Sequence, residues 1–289
     1  MHVLQRPAAE IAYLQAGQGP ETLLFIHGAL CDHSDWREQL AFFAHTHQVI
    51  APDLQGHGRS SAHPGLIGVE AYARDMAALI EALGLQRVWL VAHSMGCRVA
   101  LRTCELAQQQ VAGLVLIDGA YLSASLLSGR SQAEREALAQ AARERGRALY
   151  EGQMPAQRAQ RGFSQMFFDP RMDAERDRMI ERARQLPPHV ARELMPDFAA
   201  WDLLHMEEVL SRVKVPVLAM LCTYMNSQHE RVSLEPGMVT PWIEALQTLT
   251  PQARLVRYEG SGHFPMLERP DAVNREILDF IRSARSSPR

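Results

Sequence analysis

The sequence has neither a surplus of basic residues nor a long apolar run. Lys and Arg total 30 against 33 Asp and Glu, a formal net charge of −3 at pH 7, and basic residues lie beside acidic ones along the chain. A nucleic-acid partner is not expected, because binding to a phosphate backbone requires a basic patch. A membrane partner is not expected either, because no stretch approaches the roughly 20 apolar residues that span a bilayer.

No targeting segment is expected from the start of the sequence. Its first ten residues, MHVLQRPAAE, contain no basic segment followed by an apolar run. That combination marks a secretory signal peptide. We therefore expect a cytoplasmic protein.

Cysteines are few, and none is spaced as in a CxxC pair. Cys31, Cys97, Cys104 and Cys222 lie far apart, mostly within apolar strand or helix patterns. Such a distribution is typical of reduced, buried thiols rather than of disulfides or metal ligands. We expect no metal site and no cofactor.

Apolar residues make up 47% of the 289 residues, enough for one sizeable core. Short apolar runs alternate with amphipathic segments, which predicts a mainly parallel sheet flanked by helices. Strands are predicted at 11–17, 22–26, 48–51, 87–93, 111–117, 215–222 and 254–258, and helices at 34–44, 69–83, 96–109, 239–249 and 271–284.

The alternation stops between Tyr121 and Met206, where no strand-like run occurs. Helical segments rich in Arg and Glu fill this stretch, interrupted by apolar residues that need burial: Phe163, Met166, Phe167, Phe168, Trp201 and Leu204. Mixed charges at this density usually mark solvated helix faces. We predict an inserted helical lid, or cap, over 121–206, with residues 1–120 and 207–289 forming the core domain.

Ser94 lies in the stretch RVWLVAHSMGCRV, residues 87–99, which reads as a strand, a sharp turn and a helix. Strain at such a turn exposes the serine hydroxyl, and the following helix directs backbone N–H groups toward it. Ala92 and Gly96 are the small neighbours of a G-x-S-x-G pattern, with alanine in place of the first glycine. Serine also caps helices, but the combination of features favours a nucleophile.

His263 is the candidate base for such a nucleophile. It lies in the glycine-rich loop GSGHF, residues 260–264, between the last strand and the last helix. Because the carboxyl ends of parallel strands meet at one edge of a sheet, this loop can carry an imidazole to Ser94.

Four motifs give the chain a resemblance to the α/β-hydrolase superfamily. In the family's order they are HGA at 27–29, PDLQGHGRS at 52–60, AHSMG at 92–96 and GSGHFPMLERPD at 260–271. The resemblance implies the α/β-hydrolase fold, attack by Ser94, proton transfer to His263, and an oxyanion hole formed by the backbone N–H groups of Ala29 and Met95.

Within the second motif, Asp53, His57 and Arg59 are interpreted as residues that hold loops together.

The third catalytic residue departs from the family pattern. Members of the family often carry an acid after the strand that corresponds to 215–222, but here that place reads Cys-Thr-Tyr-Met-Asn without a carboxylate. Asp118, after the strand at 111–117, is our candidate because some relatives, including haloalkane dehalogenases and cofactor-free dioxygenases, place their acid there. Glu230 is the main rival, followed by a Ser–His dyad supported by Asn226.

Three functions remain open on the sequence. A serine hydrolase would cleave an ester or related acyl bond of a small molecule through an acyl-enzyme. A cofactor-free dioxygenase would use His263 and Asp118 to deprotonate a heteroaromatic substrate. A receptor or inactive homologue would bind without turnover. The hydrolase is our leading hypothesis.

Overall fold

The computed structural model describes residues 1–286 except 123–125, 128, 152–154, 227 and 229. Its strands are β1 His2–Arg6, β2 Ala9–Ala16, β3 Thr22–Ile26, β4 Gln48–Pro52, β5 Val88–His93, β6 Val111–Ile117, β7 Val217–Leu221, β8 Thr223–Met225, β9 Arg231–Ser233 and β10 Arg254–Arg257. Its α-helices are α1 Arg37–Phe43, α2 Val69–Ala82, α3 Gly96–Leu106, α4 Gln132–Glu151, α5 Pro155–Ser164, α6 Asp173–Arg184, α7 Pro188–Trp201, α8 Glu207–Arg212, α9 Pro241–Leu249, α10 Pro265–Glu268 and α11 Pro270–Ser286.

Eight strands form one twisted sheet in the order β1-β2-β4-β3-β5-β6-β7-β10. The strands from β4 to β10 in that order pair in parallel, whereas β2 pairs antiparallel with both β1 and β4. Because β5 and β6 lie at the centre, their carboxyl ends open onto the middle of one sheet edge. The predicted mainly parallel α/β architecture is confirmed.

Two apolar layers cover the two faces of the sheet, as strand alternation requires. In β5, Leu90 and Ala92 face the layer that contains α2 and α3, while Trp89 and Val91 face the layer that contains α1 and α11. The side chains of β5 are therefore buried on both faces. This burial makes the strand that carries Ser94 a rigid support.

Between β6 and β7, the regular elements of the described residues are helical. They are α4 to α7, a 3-10 turn at Pro170–Met172, and a π-helical turn, Asp202–Met206, that leads into α8. A buried ion pair connects this turn to α3: Arg98 donates from Nε and Nη2 to the carboxylate of Asp202, at 2.7 Å each. Asp202 also accepts the N–H of Leu122 at 2.8 Å. The helix that follows Ser94 is thus joined directly to the inserted helices.

Some elements differ from the prediction. β1 and the hairpin of β8 and β9 are additional strands, each of three to five residues and only partly buried. Such strands carry too little apolar alternation to be recognised. The four cysteines are buried and unpaired, as predicted. Within the described ranges, no helix is long and apolar enough to cross a membrane.

Candidate active site

Ser94 occupies the turn between β5 and α3 with φ of 53°, a left-handed conformation that non-glycine residues rarely adopt. The turn is crowded. A Cβ atom at Gly96 would lie 2.6 Å from the carbonyl oxygen of Ile26, and one at Gly28 would lie 2.9 Å from Nδ1 of the buried His93 and 3.3 Å from Cβ of Ser94. Glycine is therefore required at both positions for the loop after β3 to approach the serine.

His263 lies in the loop between β10 and α10, with Nε2 2.8 Å from Oγ of Ser94. Its backbone is fixed on two sides. The His263 N–H donates to the carbonyl of Met166 at 2.7 Å, and the buried imidazole of His93 donates from Nε2 to the carbonyl of His263 at 2.7 Å. The imidazole is thus held where it can accept the serine proton.

Asp118 follows β6 and places Oδ2 2.6 Å from Nδ1 of His263. Its other oxygen, Oδ1, accepts the backbone N–H groups of Cys222 and Thr223 at 2.8 and 2.9 Å, and the Thr223 hydroxyl donates to Oδ2 at 2.5 Å. The loop after β7, which lacks a carboxylate of its own, therefore supplies the donors that hold Asp118.

The rival acid lies elsewhere. Glu230 is exposed, and its carboxylate accepts the side-chain amide of Asn226 at 3.2 Å. In the described part of the chain, neither side chain hydrogen-bonds His263. Ser94, His263 and Asp118 form one connected group, and Glu230 and Asn226 stand outside it.

Burial, together with the nearby Arg231 guanidinium, lowers the pKa of His263 to about 4 despite the opposing effect of Asp118. Burial alone would raise the pKa of Asp118, but the hydrogen bond and charge of His263, together with Arg231, hold it below its usual value. In the tautomer that this geometry selects, Nδ1–H donates to Asp118 and Nε2 is free to accept. At neutral pH the imidazole is therefore an uncharged base beside an ionised carboxylate.

The backbone N–H groups of Ala29 and Met95 have no hydrogen-bond partner within the described residues. Met95 directly precedes α3, whose N-terminus carries partial positive charge. Neighbouring groups are engaged: Leu30 N–H donates to Nε2 of His57 at 3.1 Å, and Ser94 N–H donates to the carbonyl of Ile117 at 2.9 Å. The two free donors are available for a developing oxyanion.

The apolar residues of the inserted helices lie at different depths. Phe163 and Phe167 are buried, and the ring of Phe167 stacks on Phe264, next to His263, at 4.9 Å between centroids. Trp201 is buried and donates from Nε1 to Glu70 at 3.0 Å. Phe168 is exposed. Met166 and Leu204 are half-buried.

Among the described residues, 1–286 with the gaps given above, one group has side chains of metal-ligand types. Ligand atoms of Asp32, His33 and Asp53 lie within 4.8 Å of one another. Their atoms already have partners, because Asp32 accepts from Arg182 at 2.9 Å and Asp53 lies 2.7 Å from Nδ1 of His33. The group is explained as a hydrogen-bonded cluster.

The model of the alpha/beta hydrolase family matches residues 23–276. The chain belongs to this family. It is 26% identical to a thermophilic esterase from Thermogutta terrifontis, with a TM-score of 0.67 over 98% of this chain and 97% of that one. It is 25% identical to the bifunctional esterase/perhydrolase of Acinetobacter calcoaceticus over 98% of this chain and 99% of that protein.

An uncharacterised protein of Mycobacterium tuberculosis is 40% identical over 106 residues. That match covers 37% of this chain and 31% of the relative, so the chain spans about a third of that protein's length.

The α/β-hydrolase fold and the resemblance on which it was predicted are confirmed by the family match. The dioxygenase hypothesis is not favoured, because the relatives from Thermogutta terrifontis and Acinetobacter calcoaceticus are an esterase and an esterase/perhydrolase.

Three residues of this site were not recognised in the sequence. Arg231 places Nη1 3.2 Å from Nδ1 of His263, Thr223 donates to Asp118, and His93 supports the carbonyl of His263. His93 occupies the variable position of the AHSMG motif, and that adjacency was the available signal. Arg231 and Thr223 belong to the unpredicted hairpin, whose pairing brings them to the site.

Proposed function

We propose that this chain is a serine hydrolase that cleaves an ester, or a related acyl bond, of a small-molecule substrate through an acyl-enzyme on Ser94. One observation carries the proposal: the His263 imidazole connects the other two side chains. Its Nε2 lies 2.8 Å from Oγ of Ser94, and its Nδ1 lies 2.6 Å from Oδ2 of Asp118. Beside these atoms, Ala29 and Met95 offer backbone N–H groups that have no partner among the residues that the structure describes. Nucleophile, base, orienting acid and oxyanion donors are the parts that acyl transfer needs.

In the proposed first half-reaction, Oγ of Ser94 attacks the substrate carbonyl while its proton passes to Nε2 of His263. Asp118 stabilises the resulting imidazolium through the Nδ1–H bond. The carbonyl oxygen, now negative, accepts the N–H groups of Ala29 and Met95. The tetrahedral intermediate then expels the alcohol, which takes the proton from His263 and leaves the acyl group on Ser94.

In the second half-reaction, His263 accepts a proton from water as the water attacks the acyl carbonyl. The same donors hold the second oxyanion, and its collapse returns the proton from His263 to Ser94. The products are a carboxylic acid and the free enzyme. Because burial lowers the pKa of His263, its imidazole is neutral at ordinary pH and Nε2 can accept the serine proton.

We also propose that residues 121–206 act as a cap over this site. The hydrogen bond from His263 N–H to Met166 and the stacking of Phe167 on Phe264 support the proposal, because both contacts adjoin the base. The buried pair of Arg98 and Asp202 connects the segment to the nucleophile helix. A cap of this kind excludes water and sets the width of the acyl pocket.

A panel of p-nitrophenyl esters with acyl chains of rising length tests the proposal, together with a fluorophosphonate label mapped by mass spectrometry. We expect turnover of at least one ester, a label on Ser94, and loss of turnover in step with labelling. Ser34 is exposed, and its hydroxyl is bonded to Asp32 and Arg182, so it serves as the control residue for non-specific labelling. A label on Ser94 without ester turnover favours a receptor, and oxygen-dependent ring cleavage favours the dioxygenase.

A further inference from the structure

Two buried histidines connect the loop after β3 with the loop after β4. His27, in the first loop, accepts the backbone N–H of Leu54 through Nε2 at 2.9 Å. His57, in the second loop, accepts the backbone N–H of Leu30 through Nε2 at 3.1 Å. An imidazole from each loop thus accepts a backbone N–H of the other loop, and the centroids of the two rings lie 5.1 Å apart. We call this pair the histidine clasp.

The clasp requires one tautomer and one charge state. Nδ1 of His27 lies 2.8 Å from the carbonyl of Gly28, and Nδ1 of His57 lies 3.0 Å from the carbonyl of Gln55. Because a carbonyl only accepts and a backbone N–H only donates, each ring carries its proton on Nδ1 and a lone pair on Nε2. Complete burial agrees with this neutrality: it lowers the pKa of His57 to about 3 and also lowers that of His27.

The first peptide fixed by the clasp carries the N–H of Ala29. Its carbonyl, that of Gly28, accepts Nδ1–H of His27 and the N–H of Cys31, the latter at 3.4 Å. In a planar trans peptide the N–H points opposite to the carbonyl. Once the Gly28 carbonyl is held, the direction of the Ala29 N–H is set.

The next peptide carries the N–H of Leu30, which His57 holds. Leu30 has φ of 60°, a conformation that costs a leucine on the order of 1 kcal/mol or more. Without an acceptor for its N–H, Leu30 can relax toward negative φ. The neighbouring peptide that carries the Ala29 N–H can then rotate as well. The bond from Leu30 to His57 therefore stabilises the strained turn that presents Ala29.

We propose that His57 is a positioning residue for the oxyanion hole: by accepting the Leu30 N–H, it holds the Ala29 N–H in the direction that the oxyanion needs. The inference rests on the proposed function, since it assigns His57 a part in the same hydrolysis. It gives the PDLQGHGRS motif a role in the reaction beyond that of a scaffold.

Two amide variants separate this role from packing. In His57→Asn the side-chain amide reaches as far as Nδ1, so it can keep the bond to Gln55 but cannot reach Leu30. In His57→Gln the amide oxygen reaches as far as Nε2 and can accept the Leu30 N–H. Both variants replace the ring by a buried amide, which makes each a control for the other.

The measurements are kcat and KM for the p-nitrophenyl ester that the parent cleaves fastest. For His57→Asn we expect kcat to fall by roughly 10- to 100-fold with KM within about threefold of the parent, since the lost interaction acts on the oxyanion. His57→Gln should retain at least about tenfold more kcat than His57→Asn. Equal losses in the two variants, or a parental kcat in His57→Asn, would overturn the proposal.

Folding of the variants is checked by thermal unfolding, and the native protein supplies an independent test. With ¹⁵N-labelled histidine, NMR should show His57 protonated on Nδ1, bare on Nε2 and untitrated from pH 5 to 9. A proton on Nε2, or titration in that range, contradicts the clasp. If the parent neither cleaves esters nor labels on Ser94, the proposed function fails by itself, and the NMR result still decides the clasp.

Discussion

Arg231 places Nη1 3.2 Å from Nδ1 of His263 and 3.8 Å from Oδ2 of Asp118. Because the Nδ1 proton is directed to Asp118, the approach of Arg231 to His263 is that of a cation to a donor and not a hydrogen bond. The guanidinium instead donates to the Thr223 hydroxyl at 2.7 Å. Arg231 thus supports Asp118 through Thr223 while opposing a positive charge on His263.

Replacing Arg231 should therefore shift the pH profile. Among the described residues, the charged or titratable groups that face the His263 imidazole are Asp118, Arg231 and the neutral His93. In Arg231→Gln the cation is removed, so the pKa of His263 should rise from about 4 toward its ordinary value, by about one unit. The acid limb of kcat/KM should then move to higher pH, whereas Arg231→Lys should keep the limb near its original place. If the acid limb of Arg231→Gln stays in place, burial and not Arg231 lowers the pKa of His263.

Amidation of Asp118 should nearly abolish turnover. Asp118→Asn keeps the side chain's shape but removes the charge that stabilises the imidazolium, so the rate should fall by ~10⁴-fold. The pKa of His263 should also fall, because a carboxylate favours the protonated ring. Glu230→Gln is the matched control and should change little, since Glu230 is exposed and bonded to Asn226. If Glu230→Gln loses most of its turnover while Asp118→Asn keeps the parental rate, Glu230 is the catalytic acid and Asp118 is not.

Stability should decline in acid because the buried histidines fold uncharged. The pKa of His57 is about 3 and that of His263 about 4 in the folded chain, against 6.5 for the free side chain. The stabilisation is complete above pH 6.5 and is lost as the pH falls toward these lower values, by about 1.4 kcal/mol per pH unit for each group.

Urea unfolding at pH 7 and pH 5 measures this dependence. The parent should lose more free energy of unfolding between the two pH values than His57→Gln does. The expected difference over this interval is about 2 kcal/mol, since one group contributes about 1.4 kcal/mol per pH unit below pH 6.5. If the two proteins lose the same amount, His57 does not fold uncharged.

Hydrogen exchange should reveal the proposed cap. Helices α4 to α7 should exchange faster than β5 and β6, which lie in the centre of the sheet and are buried on both faces. Labelling Ser94 with a fluorophosphonate should slow exchange around Met166, whose carbonyl accepts the His263 N–H. If exchange is identical in free and labelled protein, residues 121–206 form an ordinary packed subdomain and not a cap.

The sequence predicted the sheet well because its central strands are continuous apolar runs followed by polar or glycine-rich turns. Ser94, Asp118 and His263 each follow a parallel strand of that sheet, and parallel strands end at one edge, which is why the three side chains meet. Their catalytic roles remain predictions.

The parts that the sequence did not predict depend on long-range contacts. Arg231 reaches His263 because Met225 pairs with Arg231 in the hairpin of β8 and β9. Strands of three residues are too short to show an alternation of apolar and polar residues in the sequence. The histidine clasp joins residues 27 positions apart in the chain through backbone atoms. Motif reading finds His27 and His57 but cannot pair them.

Ser94→Ala is the most direct test of the central claim, that Ser94 carries the acyl group. The substitution removes one half-exposed hydroxyl, so the parental fold and substrate binding should persist, as circular dichroism and equilibrium binding can verify. Turnover of the best p-nitrophenyl ester should fall on the order of 10⁴- to 10⁶-fold, as when a triad nucleophile is removed. Turnover within about tenfold of the parent would contradict the acyl-enzyme mechanism.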